Sequence, residues 1–154
     1  MKNIITLGCS HTAGVGVDYK DRYVSILERH YNLVIKNLSI PGSNSAEVEK
    51  VLIDYLQTDR PDLVIAQWPN PFRRMHWYNN KKENENINSC GSTFRQLLKD
   101  SEENFYRPWL QNIINATTVC RFAGVQIINI LLENVDKQYL DQLDKYQIKL
   151  HVDN

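Results

Sequence analysis

The chain has 154 residues, 42% hydrophobic and 23% charged, with 18 basic and 18 acidic side chains and no formal net charge. That is the size of one globular domain, spanning residues 1–154 and able to bury a core without staples, and zero net charge gives no global electrostatic case for nucleic acid. Cys9, Cys90 and Cys120 stand far apart with no C-x-x-C pair, which argues against a disulfide framework or a zinc site and favours a reducing, cytoplasmic setting.

Ile4–Leu7 is a short apolar run stopped by Gly8, the pattern of a strand buried on both faces. It is far shorter than a signal-peptide core or the ~20 residues of a membrane span; a soluble protein without a membrane segment or secretion signal is expected. From about residue 21 to 31, Tyr23, Val24, Leu27 and Tyr31 recur at helical spacing, with Asp18 or Asp21 available as a cap. Leu33–Ile40 predicts a second strand that stops at the Pro41-Gly42 turn. Ser43 or Ser45 then caps a helix with Glu47 or Glu49 in its first turn and Val48, Val51, Leu52, Tyr55 and Leu56 as its buried stripe. Asp62–Gln67 predicts a third strand, closed by Trp68-Pro69-Asn70-Pro71, where two prolines forbid further ladder bonds.

Residues 72–91 lose periodicity, starting basic and aromatic and turning asparagine-rich, which predicts a long lid or binding loop. Helical spacing resumes near Thr93, in one or two pieces, and runs to Gly124 as the C′ residue. Val125–Leu132 predicts a fourth strand, residues 136–146 a short helix, and Gln147–Val152 a fifth strand. Strands alternating with helices predict the α/β class, a three-layer α/β/α sandwich around a parallel sheet of about five strands in the flavodoxin-like order 2-1-3-4-5.

In that order the first three strands end side by side at Ser10, Gly42 and Asn70, with Ser10 central, where such sheets bind ligands. A hydroxyl, a backbone N–H at a glycine and an amide donor are the parts of an acyl-transfer site with an oxyanion hole. Each has a plainer reading: Ser10 as a helix cap, Gly42 as a turn glycine, Asn70 as a turn former. Gly14-Val15-Gly16 lacks the third glycine of a dinucleotide loop, and no Gly-Lys-Ser/Thr marks a phosphate loop.

Gly8-Cys9-Ser10-His11-Thr12 resembles the Gly-Asp-Ser block of the SGNH or GDSL serine hydrolases. Pro41-Gly42-Ser43-Asn44-Ser45 is similar to their glycine block, and Trp68-Pro69-Asn70 stands where their Gly-x-Asn block belongs. The resemblance implies a serine esterase or acyl hydrolase for a small ester, carbohydrate esters included, without cofactor or metal. Ser10 would be nucleophile and first oxyanion donor, Gly42 and Asn70 the other donors, with Cys9, His11, Ser43, Asn44, Trp68 and Arg73 around the substrate. It implies a small ester or a sugar-like molecule as the partner, not nucleic acid or a membrane.

Cys9 replaces the family's aspartate and Trp68 its glycine, and no Asp-x-x-His occurs between Leu132 and Asn154 to supply the family's general base. Three readings stay open: a reading frame truncated at its C-terminus, a histidine recruited from elsewhere, or a catalytically incomplete relative that binds or builds. His151 is the first substitute base, then His11 beside Ser10, then His76 on the 72–91 segment. The Gly-Cys-Ser-His-Thr opening resembles proteins of phages and their hosts, which brings a virion-associated role under the last reading.

Overall fold

A computed structural model describes residues 2–78, 81–86, 103–132, 135, 137–148 and 150–152, with the backbone alone for 74–78, 81–86, 103 and 150–152. Strand β1 (Ile4–Leu7) leads into a single-turn helix α1 (Ser10–Ala13), a 3-10 turn at Tyr19–Asp21 and helix α2 (Tyr23–Tyr31). There follow β2 (Ile35–Asn37), α3 (Ser45–Leu56), β3 (Leu63–Trp68), β4 (Arg73–Tyr78) and β5 (Lys81–Asn86). The chain continues through α4 (Glu103–Ala123), β6 (Gln126–Leu131), α5 (Lys137–Lys145) and β7 (Leu150–Val152).

Among the described residues, five strands form one parallel sheet in the order β2-β1-β3-β6-β7, the expected order with β4 and β5 set apart as an antiparallel pair. The expected α/β sandwich is therefore present. Side chains alternate across the sheet, so one strand feeds two cores. Ile5, Leu7, Val64, Ala66 and Trp68 join Val48 and Leu52 of α3, Trp109 and Ile113 of α4 and Leu143 of α5 in the larger core. Ile4, Ile35 and Ile65 pack with Val24 of α2 in the smaller core. Among the described residues, no helix is long and apolar enough to cross a membrane.

Several local expectations change. The second strand is shorter than Leu33–Ile40, although Leu38 N–H and Ile40 N–H still donate to the Thr6 and Gly8 carbonyls at 2.9 and 3.1 Å. Neither Asp18 nor Asp21 caps α2; the extended Arg22 precedes it without a side-chain cap bond. The cap of α3 is Asn44, not Ser43 or Ser45: Asn44 Oδ1 accepts from Glu47 N–H at 3.1 Å while Glu47 Oε2 accepts from Asn44 N–H at 3.3 Å. This reciprocal box satisfies two donors that a serine one residue away cannot reach. Within the expected 72–91 loop, Arg73–Tyr78 and Lys81–Asn86 pair antiparallel, with Arg73 opposite Asn86 and Tyr78 opposite Lys81; residues 79–80 and 87–91 lie outside the described residues. α4 ends as expected at Gly124, where Gly124 N–H donates to Arg121 O and Val125 N–H to Cys120 O, a Schellman pair.

Candidate active site

The corner after β1 is set by a close approach. A Cβ on Gly8 would lie 2.1 Å from Thr12 Oγ1 and 3.0 Å from the Gln67 carbonyl, so only glycine lets α1 fold back onto the end of the sheet. Thr12, fully buried, donates its hydroxyl to Gln67 Oε1 of β3, and Asn37 Nδ2 of β2 donates to the Thr12 carbonyl at 2.9 Å. The turn of helix carrying Ser10 is thus tied to both strands that flank β1. Cys9, not Ser10, holds the cap position; Ser10 is the first helical residue, half-buried, and its hydroxyl bonds no described residue.

At the end of β2, Ser43 N–H donates to Ile40 O at 3.1 Å across Pro41 and Gly42. With proline second and Gly42 third at φ 83°, this is a type II turn, which requires a residue that tolerates positive φ. Such a turn uses the fourth residue's N–H and leaves that of Gly42 out of its hydrogen bond. The Ser43 hydroxyl donates to the Gly8 carbonyl at 3.0 Å, fastening this turn to the Ser10 corner.

At the end of β3, Trp68 points inward, its Nε1–H donating to Asn129 Oδ1 at 2.9 Å, and Trp109 Nε1–H donates to the Pro69 carbonyl at 2.8 Å. Asn70 then closes a turn twice over: its Oδ1 accepts from Phe72 N–H at 2.8 Å and its carbonyl from Arg73 N–H at 3.0 Å. The Phe72 ring sits 5.4 and 5.6 Å from the rings of Phe105 and Tyr106, which anchors the turn to α4. Arg73 Nη1 reaches across to the Ser43 carbonyl at 3.3 Å.

Because β1 lies between β2 and β3, the turns carrying Ser10, Gly42 and Asn70 are neighbours at one edge of the sheet. Of the other residues expected around the substrate, Cys9, Ser43, Asn44 and Trp68 are each no more than 2% exposed. His11 is exposed, and Arg73 is half-buried with its guanidinium on the Ser43 carbonyl. The backbone of His151 pairs with Ile130 in β7, three steps from β1 in strand order and about 14 Å at the usual strand spacing. The His76 side chain lies outside the described residues. Among the described residues, no group of three or more His, Cys, Asp or Glu could hold a metal ion.

The sequence reading missed the struts beneath the site: Thr12 with Gln67, Asn37, Asn129 and the Asn44–Glu47 box. The last alone has a local signal, the Asn-x-x-Glu spacing.

No known family profile and no curated protein matches the chain. Solved structures do. It is similar to the psychrotrophic esterase EstA from a Pseudoalteromonas species at 14% identity and TM-score 0.63, over 99% of this chain and 77% of that one. The SGNH-hydrolase family esterase AlinE4 aligns at 19% identity and TM-score 0.59, over 97% and 75%. The acetyl xylan esterase Est2A from the rumen bacterium Butyrivibrio proteoclasticus aligns at 12% and 0.66, over 99% of this chain and 55% of its own. The likeness is one of architecture, and the fold of this chain is that of the SGNH-type hydrolases, in a divergent form.

Proposed function

We propose that this chain is a serine acyl hydrolase acting on a small ester, acetylated sugars included, with Ser10 as its nucleophile. The observation that carries the reading is the meeting at adjacent strand ends of three groups: a serine hydroxyl bonded to no described residue, a type II turn that leaves the Gly42 N–H unused, and an amide oriented through its own oxygen. Ser10 Oγ attacks the ester carbonyl carbon while its proton passes to water, which later returns a proton to the leaving alkoxide. The carbonyl oxygen becomes an oxyanion that accepts from the N–H groups of Ser10 and Gly42 and from Asn70 Nδ2. Collapse expels the alcohol, and water then releases the acid from the acyl-serine.

The proton is the slow part. A serine hydroxyl is a weak nucleophile until a base takes its proton. His11 directly follows Ser10 in α1, and consecutive helical residues do not face each other. Turnover of a chromogenic acetate ester is therefore expected to be weak but dependent on Ser10, and lost in Ser10→Ala. Equal rates for the two proteins contradict the proposal.

The placement of His151 favours a second reading, an SGNH-fold module that holds a small ester or sugar-like ligand without turning it over, a virion-associated part among its settings. Ligand binding with no Ser10-dependent turnover selects it.

A further inference from the structure

Gly42 is exposed, and among the described residues a Cβ there would meet no atom within 4 Å. The direction of its N–H therefore depends on what holds the residues beside it, and Ser43 is held three ways. Its N–H closes the turn on Ile40 O at 3.1 Å, its hydroxyl donates to Gly8 O at 3.0 Å, and its carbonyl accepts from Arg73 Nη1 at 3.3 Å. These bonds reach each of the three strand-end turns. Gly8 precedes Ser10 by two residues, and Arg73 itself donates its N–H to the Asn70 carbonyl at 3.0 Å. Ser43 is 1% exposed, so water does not compete for its hydroxyl bond.

We infer that Arg73 and Ser43 are positioning residues: Ser43 ties the Gly42 turn to the Ser10 corner, and the Arg73 guanidinium holds the same turn against the Asn70 turn. Neither touches the reacting atoms. Together they fix the spacing between two oxyanion donors that come from different loops. The kinetic consequence rests on the acyl-hydrolase reading; the positioning itself does not. A misplacement of about 1 Å in such a site costs about 10²-fold in rate, which sets the size of the effect.

The test compares the unaltered chain with Arg73→Met, which keeps the apolar stem, Arg73→Lys, which restores a donor, and Ser43→Ala. Two readouts are taken: the 15N order parameter of the Gly42 amide, and phosphonylation of Ser10 by a fluorophosphonate resolved into KI and kinact. Arg73→Met is expected to lower the Gly42 order parameter from about 0.85 to below about 0.6. It is expected to lower kinact about 10²-fold with KI unchanged, while Arg73→Lys recovers most of both. Ser43→Ala is expected to loosen Gly42 likewise; if it does not fold, the half-exposed Arg73 variants decide alone. A folded Arg73→Met with an unchanged Gly42 order parameter overturns the inference, whatever its labelling rate. If the unaltered chain takes no label, the acyl-hydrolase reading fails, and the order parameter still decides the positioning.

Discussion

The Trp68 indole donates to Asn129 Oδ1 at 2.9 Å, with both residues 1% exposed, and Asn129 Nδ2 in turn donates to Thr117 Oγ1 at 3.2 Å. A side chain that stands in the block resembling the family's Gly-x-Asn is therefore a strut between β3, β6 and α4. Removing one partner of a buried bond leaves the other unsatisfied. Trp68→Phe is expected to cost about 1–3 kcal/mol through the orphaned Asn129 carbonyl, read as a lower urea midpoint. A midpoint equal to that of the unaltered chain contradicts the role.

The two glycines of the site are required for different reasons, and substitution separates them. Gly8→Ala drives a methyl into Thr12 and the Gln67 carbonyl, and is expected to cost about 1–3 kcal/mol by overpacking. It also shifts α1, so Ser10 labelling slows. Gly42→Ala meets no atom of the described residues but carries φ 83°, and is expected to cost about 1–2 kcal/mol of backbone strain. Denaturation curves paired with Ser10 labelling rates distinguish the two.

The reciprocal bonds of Asn44 and Glu47 start α3 directly after the glycine block. Asn44→Ala is expected to destabilise by about 0.5–2 kcal/mol, and Asn44→Ser to retain most of that. Equal melting temperatures for the alanine variant and the unaltered chain would rule out the cap.

Burial pushes the Cys120 thiol up to about 12 from its ordinary 9.0. In the unfolded chain the thiol ionises near the ordinary value, whereas in the folded chain it keeps its proton. The contribution is absent below that value, and stability falls as pH rises from about 9 toward 12. Cys120→Ala is expected to flatten the fall in urea midpoint over this range. The same burial keeps Cys120 unreactive toward iodoacetamide at neutral pH, since the thiolate is the nucleophile.

Strand positions were legible because strands buried on both faces read as apolar runs, and here glycine or proline pairs punctuate them. Ile4–Leu7 and Leu63–Trp68 needed nothing beyond that pattern. The β4–β5 pair was not legible: Lys81–Asn86 has no apolar or β-branched residue, so its composition carries no strand signal. The cap of α3 was obscured because Ser43, Asn44 and Ser45 are all capping types, and only the distance to Glu47 chooses among them. That Ser10, Gly42 and Asn70 follow neighbouring strands could be expected in advance, because each comes after an apolar run and the strand order is the common one. The burial of Cys9, Ser43 and Trp68 could not, because it depends on partners 35 to 61 residues away, such as Gly8 for Ser43 and Asn129 for Trp68. His151 illustrates the same limit, since its place in β7, three steps from β1, is a property of strand order.

The most direct measurement is the intact mass and peptide map of the chain after incubation with a fluorophosphonate. The account predicts a single adduct, on Ser10, absent from Ser10→Ala and formed about 10²- to 10³-fold more slowly in Asn70→Ala, where one oxyanion donor is gone. A folded chain that takes no adduct, or one whose adduct persists in Ser10→Ala, would contradict it.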